Sequence, residues 1–140
     1  MEEKRIRSYG ITIGELPTGR YNKITDVPGV TVGHSTIDTE EHKTGVTVVM
    51  PCQDNIFASK MLASCFVWNG FGKTTGLVQI KELGTLETPI VLTNTLNVGL
   101  MQDALVEYMV RRCEKDEVPL KSLNPVVAEC HDSYLNHISK

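Results

Sequence analysis

Towards the end of the chain runs Asn124-Pro125-Val126-Val127-Ala128-Glu129-Cys130-His131-Asp132-Ser133-Tyr134-Leu135-Asn136, where an apolar stretch gives way to Glu129, His131, Asp132 and Asn136. An ionised Glu pairs with an ammonium group, and an imidazole donates a hydrogen bond from a ring nitrogen. Glu129 and His131 lie two apart, so on an extended strand both can point to one face. A buried strand that delivers such groups at its C-terminal end resembles a ligand-facing strand end. The same residues also suit a purely structural polar cap on the strand, and composition alone leaves both readings open.

Other constellations offer less. Gly33-His34-Ser35 sets a base beside a hydroxyl, but neighbours on a strand face apart and no third triad member is evident. No GxSxG elbow occurs. Gly70-Phe71-Gly72-Lys73-Thr74-Thr75-Gly76 resembles the tail of a phosphate-binding loop, yet Val67 stands where that loop needs its first glycine. It reads as a glycine-rich turn. His34, His42, His131 and His137 are scattered, and Cys130 and His131 adjoin on a strand, so no metal site is expected. Cys52, Cys65, Cys113 and Cys130 lack CxxC spacing, which points to free thiols, mostly packed inside, in a reducing cytoplasm.

These groups need elements to hold them. Gly29–Gly33 and Gly45–Met50 read as strands, with the polar stretch Asp38–Lys43 linking them. Ser64–Trp68 is a further strand candidate, and Ile56–Ala63 a candidate helix. Pro89–Thr93 is almost wholly apolar, which implies a strand buried on both faces. Leu100, Met101, Ala104, Leu105, Tyr108 and Met109 then form a helical stripe over residues 97–113, with Asn97 as N-cap and Glu107 and Arg111 paired on the outer side. A charged turn at Glu114–Glu117 and Pro119 leads into a strand over residues 125–130. The β-α-β series makes the chain a mixed α/β domain.

At 140 residues, 41% hydrophobic and 22% charged, the chain fits a single globular domain spanning residues 1–140. Its net charge of −3 and lack of a basic cluster argue against a nucleic-acid partner. No apolar run is long enough to span a membrane, and Met1-Glu2-Glu3-Lys4 lacks the core of a signal peptide. Fraying is expected at Met1–Arg5 and Ser139–Lys140.

An ordered set of segments resembles the D-aminopeptidase/L-aminopeptidase-D-esterase family, which includes the β-peptidyl aminopeptidases. The set comprises Arg7–Gly14, Asn22–Thr36, Asn69-Gly70, Thr75-Gly76-Leu77, Pro89–Gly99 and Asn124–Asn136. The resemblance implies part of an αββα sandwich similar to N-terminal-nucleophile hydrolases but with different connectivity. It implies a self-cleaving serine enzyme that removes N-terminal residues from short peptides, amides or esters without a metal or cofactor. Glu129 matches the acidic residue that receives the substrate's ammonium. His131 stands where well-known members have the Tyr that assists the oxyanion, and Asp132, Asn136 and Asn94 match supporting positions. On this alignment the nucleophile lies beyond Lys140. The chain is then the N-terminal portion of a precursor, inactive alone, partnered by a missing C-terminal chain and assembling as a homo-oligomer. The alternative is a non-catalytic α/β module that oligomerises or binds a small ligand.

Overall fold

The β-branched run at Thr31 continues straight through Gly33. β1 (Thr31–Asp38) turns at residues 39–42 into β2 (Lys43–Met50). A computed structural model, which describes residues 4–139, pairs these strands antiparallel from Thr31 opposite Met50 to Asp38 opposite Lys43. The polar stretch between them is a hairpin tip, closed by Thr39 N–H donating to His42 O at 2.8 Å and His42 N–H donating to Thr39 Oγ1 at 3.0 Å.

β5 (Ile90–Asn94) joins β2 antiparallel, and β6 (Val126–Cys130) joins β5 in parallel, giving the sheet order β1-β2-β5-β6. A small second sheet pairs β3 (Met61–Leu62) with β4 (Thr85–Leu86). Between β5 and β6 runs α2 (Val98–Lys115), which packs on these two strands. Val98, Leu105, Met109 and Cys113 of the helix bury against Val91, Val126 and Val127, and Val127 is wholly inaccessible. Each such apolar side chain stabilises the fold by about 1.5–3 kcal/mol. The chain is therefore a mixed α/β fold.

The helix leaves part of the sheet uncovered. Val46, Val48 and Met50 of β2 and Met101 and Tyr108 of α2 line an open apolar cleft of about 270 Å³. On the opposite face of β5, Leu92 is 42% exposed. The expectation that this strand is buried on both faces fails because α2 covers only the side of Val91 and Thr93. Leu100 and Tyr108 are likewise exposed, so only part of the helical stripe faces the core.

Two local expectations are corrected and a third is refined. Ser64–Trp68 forms no strand, because β4 spends its pairing on Met61–Leu62 and leaves the next apolar residues without a partner edge. Ile56–Ala63 is no helix. Asn55 Oδ1 accepts from Phe57 N–H at 3.1 Å and Ala58 N–H at 3.3 Å, which closes a turn, and the chain then extends into β3. The helix instead falls at α1 (Leu77–Leu83), ended by Gly84 in the left-handed region. Asn97 stands at the N-cap position of α2 as expected, but its side chain makes no capping hydrogen bond; the side-chain cap is one turn earlier, where Asn94 Oδ1 accepts Asn97 N–H at 3.1 Å at the start of the 3-10 turn Thr95–Asn97.

All four cysteines are free, as expected, but Cys113 alone is buried and Cys130 is exposed at the end of its strand. Within the segment expected to fray, the Arg5 guanidinium donates to Tyr21 O at 2.8 Å and Asn22 O at 3.1 Å. The expectation for Met1–Glu3 and Lys140 lies outside the described residues. Among the described residues no helix is long and apolar enough to cross a membrane.

Candidate active site

The parallel strands β5 and β6 end level with each other, Asn94 opposite Cys130 and Thr93 opposite Glu129. Groups at the carboxyl ends of parallel strands face the crevice where open α/β sheets bind ligands. Here that edge also receives the start of α2, because β5 passes into the helix through the short turn Thr95–Asn97.

Glu129 is half-buried at this edge, and its Oε2 accepts from Thr95 Oγ1 at 2.5 Å. Oε1 points towards Gly72, where a β-carbon would lie 3.9 Å away. Among the described residues no Lys, Arg or His forms an ion pair with Glu129. A half-buried carboxylate with one oxygen fixed and no cation beside it is suited to a cation from outside.

A second set of polar groups locks the loop after β6. Asp132 Oδ2 accepts from Thr44 Oγ1 at 2.6 Å, and Thr44 Oγ1 accepts in turn from Asn94 Nδ2 at 3.4 Å. Asn136 Nδ2 donates to Asp132 Oδ1 at 3.5 Å, while Asn136 Oδ1 lies 2.6 Å from His42 Nδ1. An amide oxygen only accepts, so His42 carries its proton on Nδ1 for this bond. Backbone pairing of His42 with Asn136, and Lys43 N–H donating to Leu135 O at 2.9 Å, sew the same loop to the start of β2. Asn94 and Asn136 are both buried, as amides are when their polar atoms are paired.

The structure thus joins Asn94, Asp132 and Asn136 in one network and sets Glu129 beside it through Thr95, the residue next to Asn94. His131 stands apart. β6 ends at Cys130, so strand alternation no longer fixes its direction; the imidazole is exposed, edge-on to Tyr134 with ring centroids 6.5 Å apart. Thr44 and His42 were not anticipated. Thr44 lies on β2 and His42 in the hairpin turn before it, 88 and 94 residues from their partners, and no local spacing announces them.

A profile of peptidase family S58 matches residues 22–140. The chain is 35% identical to a β-peptidyl aminopeptidase, BapA, of Sphingosinicella xenopeptidilytica over 96% of its own length and 35% of the relative's. Among solved structures it is similar to a Burkholderia sp. β-aminopeptidase, with 43% identity, a TM-score of 0.87, and coverage of 97% of this chain and 39% of that one. It is also similar to the L-aminopeptidase D-Ala-esterase/amidase of Ochrobactrum anthropi, described as a prototype for the serine aminopeptidases and a new variant among the Ntn hydrolase fold. There the identity is 34%, the TM-score 0.85, and the coverage 98% of this chain and 40% of that one. The chain spans about a third of the length of the curated relatives it matches.

Proposed function

Because this chain belongs to peptidase family S58, we propose that it supplies the amino-terminus-binding portion of a self-processing serine aminopeptidase or amidase acting on short peptides, amides or esters. The observation that carries this reading is the Glu129 carboxylate, held on one side by Thr95 and lacking a cation among the described residues. A substrate's free ammonium completes that site. The carboxylate then selects chain ends over interior peptide bonds and sets the first carbonyl at a fixed distance from it.

In this reading the nucleophile is the N-terminal Ser of the missing C-terminal chain, its α-amine taking the hydroxyl proton as the oxygen attacks the carbonyl carbon. His131 donates a ring N–H to the oxyanion that forms. Asn94, Asp132 and Asn136 do not touch the reacting atoms; their network holds the loop that follows Glu129 and so fixes where His131 is presented. The C-terminal chain covers the open apolar cleft beside α2, and the completed unit assembles as a homo-oligomer. Free thiols are in keeping with a cytoplasmic setting.

The test uses the 140-residue chain labelled with nitrogen-15. L-alaninamide is expected to shift the amides of Thr95 and Glu129, N-acetyl-L-alaninamide to leave them in place, and Glu129→Gln to abolish the response. An equal response to the acetylated amide would remove the ammonium role. Hydrolysis of an amino-acid p-nitroanilide by the chain alone would refute the assignment of the nucleophile to another chain.

A further inference from the structure

β6 is the last strand of its sheet, and its free edge is covered by the segment around Thr75. Thr75 N–H donates to Val127 O at 2.9 Å, and Thr75 Oγ1 accepts from Val127 N–H at 3.2 Å. Gly76 lies against Pro125, whose carbonyl oxygen would be 2.5 Å from any β-carbon there. The segment therefore runs opposite to β6: Gly76 beside Pro125, Thr75 beside Val127, Gly72 beside Glu129. Its preceding residues are thereby delivered past the strand's end, where the carboxylate sits.

Those residues are aromatic and uncovered. Phe66 is 83% and Trp68 88% exposed, their rings edge to face at 6.2 Å. With Val67, Gly72 and Leu77 they line a cleft of about 290 Å³, at the lower end of the roughly 300–1,000 Å³ typical of small-ligand pockets. Gly72 belongs to this lining and also borders Glu129 Oε1, so carboxylate and aromatic cleft adjoin. An amino-terminal residue carries its ammonium and its side chain on neighbouring atoms. Its positive and apolar parts match this pair of surfaces in charge and in character.

We propose that the Phe66–Trp68 cleft receives the side chain of the substrate's N-terminal residue while Glu129 holds its ammonium, making these two aromatics specificity-determining residues for large apolar N-terminal side chains. The inference rests on the ammonium-binding reading of Glu129. Gly72 is the threshold between the two subsites. A β-carbon there meets no protein atom closer than Glu129 Oε1, so a side chain is tolerated by the fold while it fills the passage.

Trp68 is the sole tryptophan, so its fluorescence reports directly on the cleft of the 140-residue chain. Titration with leucinamide and with glycinamide is expected to show about tenfold tighter binding of leucinamide, with a blue shift of Trp68 on saturation. Nitrogen-15 shifts at Glu129 give affinities for the variants lacking Trp68. Phe66→Ala with Trp68→Ala is expected to bring leucinamide down to the affinity of glycinamide and leave glycinamide unchanged. Gly72→Val is expected to weaken leucinamide selectively, with circular dichroism as wild type. Glu129→Gln weakens both amides alike. Equal binding of the two amides, dependent on Glu129, overturns the cleft assignment and leaves the ammonium role standing. Absence of any Glu129-dependent binding overturns both. A blue shift that follows protein concentration and ignores the amides assigns the aromatics to contact between copies, and overturns the proposal too.

Discussion

At Glu87 burial and hydrogen bonding act in opposition. The carboxylate is buried against Lys60 Nζ at 2.9 Å and accepts from Asn124 N–H at 2.8 Å and Asn124 Nδ2 at 3.0 Å. Burial is the largest single influence and pushes the acid upward, but hydrogen bonds from Lys60 and Asn124 together outweigh it and hold the carboxyl below its ordinary range. A group lowered on folding contributes stability that is complete above its unfolded value and lost as pH falls through its folded value. Denaturant midpoints measured from about pH 6 down to about pH 3 should therefore fall, and less steeply in Glu87→Gln. Lys60→Met, which strips one charged hydrogen bond, should cost about 1.5–3 kcal/mol at neutral pH. At the site itself, His131→Phe in the chain co-produced with the proposed C-terminal chain should lower kcat by about 10²-fold with KM little changed, and steady-state kinetics would check it. An unchanged kcat would overturn the proposed oxyanion role of His131. The placement of Glu129 near the end of β6 was readable in the sequence, because an acid closing an apolar strand is a local pattern; its proposed role came from the family resemblance. Thr44 and His42 were not readable, since only the sheet order and the bridge between His42 and Asn136 bring them to Asp132 and Asn136.

Among the elements, β5, α2 and β6 were the most readable, because each announces itself by its own periodicity and the order strand, helix, strand dictates a parallel pair. Ser64–Trp68 misled because β-branched and aromatic residues mark a strand only where a neighbouring edge is free. That requirement is tertiary. The junction before α2 turns on one side chain: Asn94 ends β5, caps the 3-10 turn that leads into the helix, and reaches Thr44. Asn94→Ala should cost about 1–2 kcal/mol, the usual loss of a helix cap, read from the denaturant midpoint. The edge segment on β6 turns on Gly76, which sits at φ 79° with Pro125 O in the place of a β-carbon. Gly76→Ala should destabilise by about 1–3 kcal/mol and speed hydrogen exchange at Thr75 and Val127 ahead of the rest of the sheet. Uniform exchange across all four strands would show that the segment is not a separate unit.

On the scale of the whole molecule, the sheet has a helix over half of one face and leaves apolar side chains open on both, from Val48 and Tyr108 to Leu92. Large uncovered apolar patches mark surfaces that meet another chain. The 140-residue chain alone should bind a hydrophobic dye and sediment faster as its concentration rises, and both effects should vanish when the proposed C-terminal chain is co-produced. A monodisperse, dye-silent chain would mean that these faces need no partner. Which patches stay uncovered could not be read from composition, since 41% hydrophobic content looks the same whether or not it is enclosed. The stitch from His42 to Asn136 carries a different consequence, for the order of events during synthesis. Its ends are 94 residues apart, so the hairpin tip emerges from the ribosome long before its partner. At about 5–20 residues per second, the tip waits several seconds for the loop that completes the network. Through that interval β1 and β2 can pair, while His42 and Thr44, which later join the network, remain hydrated. The local hairpin is an early event of translation, and the assembled site a late one.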